Sequence, residues 1–323
     1  MIIPDKSSYF QKLEEFEIIP FTQSKGWYAM HSLYKPERII FLFNNIENPS
    51  IACFAHEKTF LGVKMLLIEG EAYKDAKSCN LNDIRSFYQS LTKSGYPIIE
   101  SASNAIYDFN YETALRQAGF LRPVGMFSLP VTKIINLKSI HYDSNWRYYV
   151  KKSTSEDLSF EAVTDVNEKD AADFIGIYNE MMKIKSVAGF FDISQLTQLL
   201  LDTHFQLFFM SHRGKRISAI ITYRQVSHVS LLYAVSNAEG RKHFASFALY
   251  DSIFRHFAAQ EIQTFDMEKL LPSTDEVNGV FRFKNGVSGD FCQLNGEWSW
   301  YKNSVYRSSM YFVKKHLMKK REL

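Results

Sequence analysis

The sequence predicts an α+β (mixed α/β) chain built as two tandem units, each a mixed, largely antiparallel sheet flanked by helices. Three observations predict it. The chain has 323 residues, 46% hydrophobic and 23% charged, an ordinary globular balance and long enough for about two domains with a core each. Along its whole length, apolar residues switch between a period of two and a period near 3.6, the repeats of strands and helices. The window 83–120, shifted by 167 residues, also falls on 250–287 without a gap, placing Phe87 on Phe254, Ile98 on Phe265, Asp108 on Asp275 and Gly119 on Gly286. The units expected from this are 1–145 and 146–301, with 302–323 a basic C-terminal helix that packs back on the first unit.

Residues 38–43, 50–55 and 63–68 are apolar runs rich in β-branched and aromatic side chains. Asn, Pro, Glu and Gly separate them, which predicts a three-strand meander. Asn82 is expected to cap a helix whose buried stripe is Ile84, Phe87, Tyr88 and Leu91. Ser94-Gly95 ends it before a strand at 96–99. Asp108 opens the next helix, Gly119 stops it, and 125–135 is a strand. The second half begins with a bridging helix near 146–152 and a strand at 160–163. Helices at 170–185 and 193–201 follow, the latter capped by Asp192, then strands at 205–210, 216–223 and 229–234. One long helix is expected over 241–259, a strand at 264–267, and a helix opened by Asp275 and ending near Asn285-Gly286.

Lys and Arg number 38 against 35 Asp and Glu, a net charge of +3. Five basic residues and one acid lie in the last ten positions, so the rest carries 33 against 34. Such a body lacks the electrostatic footprint of a DNA-binding protein. The three cysteines are far apart and form no CxxC pair, which points to a reduced, cytoplasmic chain. No apolar stretch approaches the roughly 18 residues of a membrane span, and the acidic N-terminus does not read as an export signal. P-loop, GxGxxG, HExxH and GxSxG patterns are absent. His204, His212, His228, His243 and His256 lack ligand spacing, so no metal is expected.

The order of elements in each half is that of the Gcn5-related acyltransferase (GNAT) fold. Four segments carry a narrower resemblance: Phe21-Thr22-Gln23-Ser24-Lys25-Gly26-Trp27; Tyr111 to Phe120; Trp146-Arg147 with Lys151-Lys152; and Phe265-Asp266 with Phe281-Arg282-Phe283-Lys284-Asn285-Gly286. In this order they resemble the Fem family of peptidoglycan interpeptide-bridge aminoacyltransferases, which are tandem GNAT proteins. The resemblance implies transfer of an amino acid from aminoacyl-tRNA to the amine of a cell-wall precursor, with no further cofactor. Attack of a neutral amine on an activated ester needs a route for the proton and positive charge at the oxyanion. Lys284 matches the family position for that charge. Asp108 is a candidate proton acceptor, with helix capping as its other reading. Tyr233, Lys185, Lys183, His31 and Lys25 are expected to line the acceptor site in a groove between the units.

Departures from the family narrow this. His31 stands where a lysine grips a diphosphate, and Lys183-Ile184-Lys185 offers no bidentate arginine. Two alternatives remain beside the transferase: a catalytically degenerate binding or scaffold protein, and a transferase using acyl-CoA as co-substrate. Against the latter, 241–246 has Phe244 where a phosphate loop needs glycine. The Trp298, Trp300, Tyr301 and Tyr306 cluster is read as core, with a ring-stacking groove as the alternative. The basic stretch 312–323 has solvated helix as its plain reading and contact with a tRNA acceptor stem or an anionic membrane surface as the sharper one.

Overall fold

A computed structural model describes residues 5–35, 38–123, 131–184, 192–270 and 279–317. The expected start of a helix at Asp275, the strand residues before 131 and the tail beyond 317 lie outside them. The chain forms two compact units, Met1–Pro130 with Gln293–Leu323, and Val131–Cys292.

The first unit opens with α1 (Lys6–Leu13) and α2 (Lys25–Ser32), capped by Asp5 and Ser24. The strands β1 (Ile39–Phe43), β2 (Ile51–Phe60) and β3 (Val63–Ile68) form the predicted antiparallel meander. The short β4 (Ala72–Tyr73) pairs with the start of β2. Next come α3 (Leu81–Thr92) and β5 (Ile98–Ile106), the latter parallel to β3 with Ile98 opposite Met65. The α3 cap is Asn80, two residues before the expected Asn82. Asn80 Oδ1 accepts from the Asp83 amide while its Nδ2 donates to the Asp83 carboxylate, so the reciprocal pair fixes the earlier start. The predicted stripe of Ile84, Phe87, Tyr88 and Leu91 is buried. It packs on Ile68, Ile99, Leu115 and Trp298. Asp108 caps α4 (Phe109–Gln117), and Gly119, at φ 86°, closes it with Phe120 N donating to Leu115 O.

The second unit contains β6 (Val131–Asn136), α5 (Ser144–Ser153), β7 (Leu158–Ala162), α6 (Glu168–Ile184), α7 (Ile193–Leu200), β8 (Phe205–His212), β9 (Lys215–Arg224) and β10 (His228–Ser236). The long helix expected over 241–259 is two, α8 (Ala238–Lys242) and α9 (Ala245–Ala258). Phe244 breaks it in the left-handed region at φ 56°, with its ring stacked on Tyr149. The unit ends with β11 (Thr264–Asp266), α10 (Gly279–Asn285) and the first residues of β12 (Asp290–Tyr301). Its core holds Trp146, Phe208, Leu249, Ile253, Phe254 and Phe265. α11 (Ser304–Phe312) and a π-helical turn at Val313–Leu317 follow, where Met310 and Val313 pack on Met65 and Ile98.

Strand pairing explains why the compact units do not follow the expected boundaries at 145 and 301. The first sheet runs β1-β2-β3-β5-β12 and the second β6-β11-β10-β9-β8-β7. β6, which follows α4 in sequence, pairs with β11, Ile135 opposite Phe265. β12, which follows α10, pairs with β5, Tyr301 opposite Ile98. Each half of the sequence thus gives its closing strand to the other half's sheet.

The two glycines matched by the 167-residue shift serve different ends. Gly119 supplies a left-handed helix stop. Gly286 makes room: a Cβ there would lie 2.3 Å from Trp146 Cδ1.

Candidate active site

In the second unit the parallel pair β10–β11 extends over three registers, from His228 opposite Thr264 to Ser230 opposite Asp266. β11 then ends, while β10 continues through a bulge between Leu231 and Tyr233 in register with β9. Past Asp266 the backbone turns at Glu268, which has φ 63°. Lys284 of α10 reaches this turn. Its Nζ donates to Glu268 O at 3.0 Å and Lys269 O at 2.9 Å, and the residue is buried. Desolvation lowers the Lys284 pKa, opposed by the Glu268 and Asp266 carboxylates.

The carboxylates are perturbed in turn. Burial raises Asp266, although it accepts from Thr132 Oγ1 and, at 2.7 Å, from Glu268 N. Burial and the neighbouring Asp266 raise Glu268. His228 bonds Thr264 Oγ1 through Nδ1 at 2.8 Å and Ser230 Oγ through Nε2 at 3.2 Å, and burial lowers its pKa. The Lys284 ammonium, two carboxylates with raised pKa values and an imidazole with a lowered one therefore share a region where charge is poorly screened. A pocket of about 460 Å³ is lined by α10 residues Arg282 and Phe283 and by Trp146, Tyr149, Arg241 and Phe244.

The other expected site residues divide between the units. Asp108, in the first, accepts from Asn110 N at 2.9 Å, and its own amide donates to Asn295 Oδ1; capping uses it. Lys25 is exposed and pairs with Glu14 at 2.6 Å. The His31 ring lies 4.8 Å from Trp27 and 5.2 Å from His56, and desolvation lowers the pKa of both imidazoles. Trp27 Nε1 donates to Glu69 at 3.0 Å, beside this pair. In the second unit, Tyr233 is half-buried past the β10 bulge and Lys183 is exposed in the last turn of α6. Lys185 lies outside the described residues. Trp298 is buried in the first core, with the Arg122 guanidinium 3.8 Å over its ring. Lys314 of the basic tail forms an ion pair with Glu100 at 2.8 Å.

Two groupings went unseen in the sequence. Asp266 and Glu268 flank the end of a three-residue strand, and Asp266 stood in the resemblance only as a neighbour of Phe265. Two of the histidines expected to be scattered converge with a glutamate: ligand atoms of Glu156, His212 and His243 all lie within 4.8 Å of one another. No helix among the described residues is long and apolar enough to cross a membrane.

No family model matches the chain, and no curated protein matches it. Solved structures do. FemX superposes with a TM-score of 0.73 at 12% identity, covering 96% of this chain and 100% of its own. L-PGS from Bacillus licheniformis gives 0.64 at 12%, covering 98% of each. A tandem GNAT protein from the clavulanic acid biosynthesis pathway gives 0.51 at 8%, covering 93% of this chain and 96% of its own. The chain has a Fem-like tandem GNAT fold.

Proposed function

We propose that the protein is an aminoacyl or N-acyl transferase that forms an amide on an amine acceptor in cell-envelope synthesis. The observation that carries this reading is the buried Lys284 ammonium at the end of β11. Two of its three donors are held by the Glu268 and Lys269 carbonyls, which aims the third. A preset cation of this kind is what a developing tetrahedral oxyanion requires. Asp266 and Glu268, with raised pKa values, are the nearby groups suited to take the proton released by the attacking amine. The donor would be aminoacyl-tRNA and the acceptor a cell-wall precursor, in line with the Fem-like fold. Acyl-CoA is less well served, because Phe244 occupies the left-handed position before α9, where a side chain crowds a phosphate.

Assay of Lys284→Met with aminoacyl-tRNA and muramyl-peptide acceptors tests the reading. Loss of one preorganised oxyanion group costs about 10²–10³ in kcat, with KM little changed; kcat is read at a temperature where the variant remains folded, because losing the two carbonyl bonds also lowers stability. A second reading draws on the same contacts. The two carbonyl bonds also suit a purely structural lysine, as in a binding or scaffold protein. Unchanged kcat, with lowered stability, would favour that account and sink the first.

A further inference from the structure

We propose that Glu156, His212 and His243 form a binding site for a transition-metal dication of the zinc class, separate from the Lys284 cluster and independent of the transferase reading. Glu156 lies between α5 and β7, His212 ends β8 opposite Leu158 of β7, and His243 sits at the turn between α8 and α9. The three are partly buried, and their ligand atoms lie within 4.8 Å of one another. In tetrahedral zinc sites, with bonds of about 2.0–2.2 Å, ligand atoms stand roughly 3.3–3.5 Å apart. His243 Nδ1 and Glu156 Oε2, at 2.6 Å, are already closer, sharing a proton where the metal would enter. The His212 ring is stacked on His243 with centroids 3.9 Å apart, so binding requires His212 to turn about its side-chain torsions and bring a nitrogen to the ion.

A second observation singles this cluster out from an ordinary ion pair. The other ring nitrogen, His243 Nε2, meets Glu239 Oε1 at 3.3 Å, one helical turn earlier. A metal-bound histidine characteristically donates its second N–H to a carboxylate, which fixes the tautomer and the ring plane. Nδ1 is thereby directed at the metal and Nε2–H at Glu239. Two imidazoles and one carboxylate select zinc, cobalt, nickel or copper over magnesium and calcium, which prefer all-oxygen shells. The bound ion would tie the β7–β8 end of the sheet to the turn that presents Phe244 and Arg241 to the 460 Å³ pocket.

The test is titration of the full-length, metal-stripped protein with ZnCl2, by calorimetry and thermal shift, with MgCl2 in parallel. One equivalent of Zn2+ should bind and raise the melting temperature, and Mg2+ should not. Co2+ should give visible d–d bands of a four-coordinate site. His212→Ala and Glu156→Gln should each weaken Zn2+ binding by more than about 100-fold, since even losing an outer-shell partner costs about 10–100-fold. His204→Ala, at an exposed histidine beside Asp202, should leave it unchanged. Absence of stoichiometric binding, or Zn2+ binding unaltered in both His212→Ala and Glu156→Gln, would overturn the proposal and leave a hydrogen-bonded clamp only.

Discussion

Glu71, buried in the first unit, should make stability fall as pH rises, and replacing it with glutamine should abolish that fall. The residue follows β3 and is enclosed by three tyrosines and a serine. Tyr111 OH donates to it at 3.2 Å and Tyr73 OH at 3.4 Å, with Tyr88 OH and Ser101 Oγ completing the set. Burial outweighs these bonds and raises its pKa from 4.5 to about 7. Because the folded value exceeds the unfolded one, the proton is held more tightly in the folded protein. The stabilisation is complete below about pH 4.5 and lost as pH rises through about 7. At about 1.36 kcal/mol per unit this amounts to roughly 3 kcal/mol, of which roughly 2–3 kcal/mol falls between pH 5 and pH 9. Melting curves of wild type and Glu71→Gln at those two pH values isolate the group, since the other titrations largely cancel in the difference. The variant should gain about 5–10 °C relative to wild type on going from pH 5 to pH 9, at about 2–4 °C per kcal/mol for a unit of this size. A difference that does not change with pH would refute the reasoning.

Two further outcomes follow from geometry already given. Asp108→Ala should cost about 1 kcal/mol through loss of the α4 cap, whereas Asp108→Asn should retain most of the stability because asparagine caps nearly as well. Full transferase activity in Asp108→Asn would confirm that the carboxylate carries no proton, and a selective loss of kcat there would restore its catalytic reading. Gly286→Ala should destabilise by about 1–3 kcal/mol, because Trp146 is almost fully buried and its Nε1 donates to Phe283 O at 2.7 Å. Equilibrium unfolding measures this, and adding Trp146→Phe should recover part of the loss by removing the edge that the new methyl meets.

What could be read from the sequence is what local chemistry determines. The α3 stripe, the Asp108 and Asp192 caps and the β3 strand depend on residues within a few positions of one another, and they appear where periodicity puts them. The break at Phe244 carries no Gly or Pro to announce it; its left-handed backbone is held by tertiary stacking on Tyr149 and Phe247 contacts around it. Lys284 was visible only through its resemblance, whereas its carbonyl partners arise from a turn 15 and 16 residues away. The Glu71 tyrosines and the Glu156–His212–His243 cluster come from separate elements, and no spacing rule joins them. The repeat at 167 residues gave the plan of the two halves correctly, yet it could not show that their closing strands change places, because β6 and β12 each pair with a strand more than 100 residues away in sequence.

That exchange bears on how the protein is made. During synthesis a chain usually folds from its N-terminus as domains emerge. Here β5 has no partner on its far side until residues 293–301 leave the ribosome, long after β5 itself has emerged. Until then Ile98–Ile106 is an open sheet edge, and the nascent chain must keep an unpaired backbone from finding another strand. A stop codon shortly before Gln293 would therefore do more than shorten the chain: it would strip the earlier-made sheet of β12, although every residue of that sheet's other strands had been translated correctly.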